Sequence, residues 1–110
     1  MSEQCWVIHN EVVEPQPRLA LSREELTELH HQFIHDLDAK GMLVGAGPFS
    51  PSLPSPASGG GKGRGRFGTG MIIFRAATRA EAETIANSEP YIAHGTRRLK
   101  LVPWQRIAGR

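Results

Sequence analysis

"MIIFRAATRAEAETIAN", Met71–Asn87, changes its period halfway. Met71–Arg75 is apolar at consecutive positions with no helical spacing, which predicts a strand apolar on both faces. Thr78 and Glu81 then stand at the capping-box spacing, and the alanine-rich segment Arg79–Asn87 behind them predicts a helix. A strand buried on both sides and leading into a helix has to lie in the middle of a sheet.

The neighbouring segments supply the rest of that sheet. "CWVI", Cys5–Ile8, continued by Glu11–Val13, reads as a first strand of the same doubly apolar kind. "EPQPR", Glu14–Arg18, breaks it with two prolines. Ser22 and Glu25 form an S-x-x-E capping box that opens a first helix. That helix runs to about Lys40, where Gly41 can supply a left-handed cap. Met42–Val44 is a short second strand, ended by "GAGP", Gly45–Pro48. After the second helix, "SEPYIAHG" is a turn, because Pro90 disfavours helix at Glu89. "RRLKLVPW" alternates Leu99 and Leu101 with Arg98 and Lys100, as an edge strand with one wet face does.

The order is β-α-β-β-α-β, which predicts an α+β, ferredoxin-like fold with an antiparallel sheet. In that arrangement the first and third strands are central, and these are the two that are apolar on both faces. Two helices cover one face of such a sheet. The other face is expected to be covered by a second copy, giving a homodimer.

The 110 residues suit a single domain, taken as 1–110. No apolar run is long enough to span a bilayer, and the N-terminus lacks the features of a secretory signal, so no membrane role is expected. Cys5 is the single cysteine, which excludes an internal disulfide and fits a reducing, cytoplasmic setting. Residues 1–55 hold three bases and eight acids, whereas residues 56–110 hold ten bases and three acids. Such asymmetry suits an anionic partner or, as the preferred reading, oppositely charged helices packed in one domain.

Phe49–Gly70 is rich in proline, serine and glycine and long for a loop in a small domain. It contains Gly63-x-Gly65-x-x-Gly68, but the motif precedes a strand, whereas a dinucleotide site needs it between strand and helix. A phosphate loop also fails, because Gly63 follows Lys62 where Ser or Thr should stand. Lys62, Arg64 and Arg66 offer too little counterion release for nucleic-acid binding, and none is expected. Two readings of the segment stand: a flexible lid whose Arg66 or Phe67 touches a substrate, or a disordered surface loop.

"LTELHHQFIHDL", Leu26–Leu37, carries three of the five histidines. At ~100° per residue from Leu26, Leu29, Phe33, Leu37 and Ile34 fall at ~300°, ~340°, ~20° and ~80° and define an apolar face. His30, at ~40°, lies inside that arc, while His31 and His35, at ~140° and ~180°, point outward. The outward pair has the i, i+4 spacing of zinc ligands, but Gln32 stands where a general-base glutamate is needed. Asp38 is the one further donor in sight, so solvated surface histidines and no metal site are expected. His30 differs. A neutral imidazole in an apolar stripe needs partners for its nitrogens, and its retention there points to a cavity and to proton transfer. A buried histidine held by one backbone hydrogen bond is the alternative.

The segments "LHHQFIHDLDAKG", "MLVGAGP", "GTGMIIFRAATRAEAETIA", "EPYIAHG" and "LVPW" together resemble the YCII-related family. Counting back from Ala46 in "AGP", the family's helix histidine falls on His30. The resemblance implies a dimeric α+β barrel, with the helix histidine paired to the carboxylate of a "DP" turn. Glu89 stands where that family has aspartate, and it would orient His30 and stabilise its imidazolium. His94 interrupts the family's Ala-Gly in the same turn. Some members are dehydrochlorinase- or lyase-like enzymes of aromatic breakdown, and relatives include isomerases and cofactor-free monooxygenases.

The reading that follows is a cofactor-independent lyase, isomerase or dehydrochlorinase acting on a small cyclic or aromatic molecule. His30 and Glu89 would be catalytic, with Gly47, Pro48, Arg66, Phe67, Tyr91 and His94 as substrate contacts. Backbone N–H groups near Gly47 could hold an oxyanion. The alternative is a non-catalytic ligand-binding or accessory module built on the same cavity.

Overall fold

The computed structural model describes residues 3–48 and 70–109. Four strands and three helices follow in the order β1 (Glu3–Val12), α1 (Arg23–Ala39), β2 (Leu43–Pro48), β3 (Gly70–Arg75), α2 (Arg79–Asn87), α3 (Pro90–Ala93) and β4 (Arg97–Arg106). The strands form one antiparallel sheet in the order β2-β3-β1-β4. This is the ferredoxin-like arrangement, with the two doubly apolar strands at its centre.

Side chains alternate across the sheet. Trp6 and Ile8 stand opposite Phe74 and Ile72. All four are buried, and together with Leu37 of α1 and Ala82 and Ala86 of α2 they form the core under the helices. Burying each large apolar side chain there stabilises the fold by about 1.5–3 kcal/mol. Ala82 and Ala86 are fully buried, and side chains this small let α2 approach the sheet closely. Trp6 also donates its indole N–H to the Ala76 carbonyl at 3.0 Å, so its polar edge is satisfied inside the core.

The second face of the sheet is different. Val7 and Ile73 are half-buried, while Met71, Val102 and Trp104 are exposed. Beside this apolar strip, Glu3 pairs with Arg75 and Arg106, and Glu11 with Arg98 at 2.9 Å. Two of the eight acids of residues 1–55, Glu3 and Glu11 of β1, are thus met within the sheet by arginines of β3 and β4. Opposed helices are not the means. Cys5 lies on the same face and is buried; burial pushes its thiol pKa up, the Glu3 carboxylate adds to the rise, and Arg75 and Arg106 oppose it.

Several boundaries move from their sequence-based positions, each for a tertiary reason. β1 continues unbroken through His9 and Asn10 because ten consecutive residues pair with β4. β2 runs on through "GAGP" to Pro48, with a bulge between Leu43 and Gly45, because β3 offers it a partner strand. Pro103 lies within β4, which is tolerated because β4 is an edge strand. The turn after α2 contains a one-turn helix, α3. Pro90 occupies its first position and Glu89, in extended conformation, is its N-cap. Leu29, placed by the helical wheel at the margin of the apolar face, is 42% exposed.

The ends of α1 fix the helix that carries His30. Ser22 Oγ accepts from Glu25 N at 3.0 Å, and Glu25 Oε1 accepts from Ser22 N at 2.8 Å. At the other end Gly41 takes a φ of 74°, its N–H reaches Asp38 O at 2.9 Å, and Met42 N–H reaches Leu37 O at 2.9 Å. These are the two bonds of the Schellman motif. Ser22→Ala should destabilise the protein by about 1 kcal/mol. A denaturant titration reads the change in midpoint, and Ser22→Asp should restore it.

Candidate active site

Glu89 is brought to His30 by the way the chain leaves α2. Its backbone N–H closes onto Ala86 O at 3.2 Å, Pro90 holds it out of the helix, and its side chain turns back to cap α3. Oε1 accepts from Ile92 N at 3.2 Å. Oε2 accepts from His30 Nδ1 at 2.7 Å, across 59 residues of sequence. The Glu89 side chain is 1% exposed and that of His30 is 23% exposed. An ionised carboxylate only accepts, so a ring paired with it donates from Nδ1. The other ring nitrogen, Nε2, has no partner among the described residues.

His30 borders a cavity of about 350 Å³ between α1 and the helix-facing side of the sheet. Its volume lies at the lower end of the range of small-molecule sites, about 300–1,000 Å³. Ile8, Ile34 and Ile72 supply apolar wall, and Ala46, Gly47 and Pro48 of the edge strand β2 form one side. Gly70 lets β2 come this close: a Cβ there would sit 2.3 Å from Gly47 O and 2.8 Å from Pro48 Cα. Tyr91 of α3 lies with its ring centroid 4.6 Å from that of His30, and its hydroxyl is 3.1 Å from Thr27 Oγ1. The tyrosine therefore braces the imidazole from α3, while Glu89 holds it from the residue before.

Of the residues expected from the sequence, the structure brings together His30, Glu89, Gly47, Pro48 and Tyr91. Arg66 and Phe67, with the lid reading of Phe49–Gly70, fall outside the described residues up to position 69. His94 is the exposed C-cap of α3 and does not line the cavity. His31 and His35 are exposed, as the wheel requires, though His31 also touches the cavity rim, 5.7 Å from the His30 ring. Gln32 donates to Asp36 Oδ1 at 2.9 Å on the outer side of α1. Among the described residues no three His, Cys, Asp or Glu side chains are grouped to hold a metal ion.

Among the lining residues that the sequence did not single out are two polar ones on strands, Asn10 of β1 and Arg97 of β4. The signal was present. Asn10 shares the inward phase of Trp6 and Ile8, and Arg97 that of Leu99 and Leu101. A polar side chain on the buried phase of a strand is the same anomaly as a histidine on the buried face of a helix.

Fold and site together define a class: a ferredoxin-like α+β protein with a carboxylate-held histidine at the mouth of a small cavity under its first helix. Within it the chain belongs to the YCII-related domain family, whose model matches residues 5–105. A comparison with curated proteins found no match. Among solved structures it is similar to the 5-chloro-2-hydroxyhydroquinone dehydrochlorinase of Burkholderia phenoliruptrix, in complex with 2,5-dihydroxybenzoquinone. The TM-score is 0.59 at 14% identity, covering 91% of this chain and 92% of that one. At that identity the likeness is one of fold. No helix among the described residues is long and apolar enough to cross a membrane.

Gly70→Ala should force β2 away from β3 and destabilise the protein by about 1–3 kcal/mol. Thermal unfolding measures this, and Gly47→Ala serves as the control, since a Cβ at Gly47 meets nothing within 4 Å.

Proposed function

We propose that this chain is a cofactor-independent enzyme in which His30 moves a proton on a small cyclic or aromatic substrate. The observation that carries the reading is the 2.7 Å bond from His30 Nδ1 to the buried Glu89, with His30 itself lining the cavity. The histidine takes a proton from a carbon or hydroxyl of the substrate through Nε2. Glu89 holds the ring in one tautomer and orientation and stabilises the imidazolium that forms, as the carboxylate of a catalytic triad does. In an elimination the electron pair released by the proton expels a leaving group such as chloride with its bonding pair. In an isomerisation the imidazolium returns the proton to another carbon. Neither step changes the oxidation level of the protein. Gly47, Pro48 and Tyr91 are the substrate contacts of this reading, with Arg66 and Phe67 as further contacts from the loop.

The fold neighbour's activity supports a dehydrochlorinase or related lyase and makes 5-chloro-2-hydroxyhydroquinone the first compound to assay. His30→Ala should lower turnover by about 10²–10⁴-fold, the usual contribution of a positioned acid or base. Glu89→Gln should lower kcat with little change in KM, because it disturbs the ring rather than the binding surface. Turnover by His30→Ala within a few-fold of the parent removes His30 from the chemistry. A ligand held unchanged over hours by the parent, with no product, turns the reading to a binding or accessory module.

The second sheet face completes the proposal. Val102, Trp104 and Met71 are 46%, 40% and 40% exposed and lie beside Val7 and Ile73, an apolar strip that a second copy would cover. The functional unit is then a homodimer. The lone, buried Cys5 fits a cytoplasmic setting. Light scattering should return twice the chain mass of 12.1 kDa. The double variant Val102→Glu, Trp104→Arg should return a monomer.

A further inference from the structure

The cavity holds a polar pair that the proton transfer does not use. Arg97 NH1 donates to Asn10 Oδ1 at 3.1 Å, and the Arg97 guanidinium carbon lies 4.6 Å from the Tyr91 ring centroid. Among the described residues Arg97 has no carboxylate partner. The contrast with its neighbours is direct: Arg75, Arg79, Arg98 and Arg106 each pair with a glutamate. A half-buried guanidinium without a counter-charge is poorly stabilised by its own protein.

Asn10 sharpens the point. It is only 8% exposed and lines the cavity. Arginine has donors and no acceptor, so the amide oxygen of Asn10 must be the atom that faces it. The Asn10 Nδ2 donors are then left with no partner among the described residues. Both residues thus bring donors to the cavity, and the nearby carboxylate, Glu89, has both oxygens already occupied. A ligand group at this end has to accept hydrogen bonds and is best negatively charged. Tyr91 touches both His30 and Arg97, and its flat ring suits a flat ligand.

We propose that Arg97 and Asn10 form an oxyanion-binding subsite, so that the cavity selects single-ring compounds bearing an anionic oxygen, either a carboxylate or an enolate or phenolate. The subsite holds the anionic oxygen and presents the rest of the ring to His30 Nε2. This rests on the cavity being the substrate site, but it concerns recognition and is tested by binding alone.

Calorimetric titration of the full chain with benzoate, its neutral isostere benzamide and the enolate-type anion 2,5-dihydroxybenzoquinone reads it. The parent should bind at least one anion about tenfold or more tightly than benzamide, the effect of one charge-assisted hydrogen-bonded pair. Preference for benzoate alone identifies the carboxylate class, and preference for the quinone alone the enolate class. Arg97→Gln should abolish the preference, and Arg97→Lys should keep part of it. Asn10→Asp, which gives Arg97 an internal counter-charge, should abolish it too. Thermal melts confirm that each variant is folded. His30→Gln should retain the preference, which separates the subsite from the imidazole. Equal affinity for benzamide and both anions, no anion binding by the parent, survival of the preference in Arg97→Gln, or its loss in His30→Gln overturns the proposal. A His30 variant that loses turnover while Arg97→Gln binds anions normally would overturn this inference and leave the catalytic reading standing.

Discussion

A glutamate with 1% of its side chain exposed needs donors, and Glu89 takes them from two places: the backbone of α3 and the imidazole of α1. An unpartnered buried carboxylate would cost several kcal/mol, so these bonds are a condition of the local structure as well as its consequence. They tie the first helix to the segment after the second. They also turn the His30 ring so that one nitrogen is spoken for and the other is free. The cavity lies beside that ring, lined by His30 and Ile34 of α1, Tyr91 of α3 and the end of β2, which approaches β3 closely at Gly70.

Glu89 does two jobs from one position. Glu89 serves as the N-cap of a single helical turn with one oxygen and reaches His30 with the other. Proline at the next position removes an N–H that would have had no partner and keeps Glu89 extended. The bond to His30 is of ordinary length.

The electrostatics of the sheet divide by face. On the open face, acids of β1 and arginines of β3 and β4 form pairs beside an apolar strip. On the helix face Arg97 has an amide and an aromatic ring but, among the described residues, no acid. The same strand therefore carries arginines in two different conditions, Arg98 paired and Arg97 available, one residue apart and on opposite sides. The alternation of the strand decides which guanidinium meets the cavity.

Much of this was written in local pattern. The four strands, both long helices and their caps follow from periodicity, Ser22, Thr78 and Gly41, because those signals act between residues a few positions apart. The inward bearing of His30 is likewise a matter of helical angle. Partnership was not legible by itself. That Glu89 meets His30 depends on two segments 59 residues apart packing over one sheet, and the family resemblance, not any spacing, suggested it. The extension of β2 through "GAGP" and of β1 through His9 and Asn10 required neighbouring strands to supply hydrogen bonds. Asn10 and Arg97 carried a readable anomaly, a polar residue in a buried phase, yet only their approach across β1 and β4 turned two anomalies into one polar corner of the cavity. Local sequence sets which way each side chain points from its own element; which elements then face one another is decided by the burial of the whole sheet, a sum over distant residues that no short window contains.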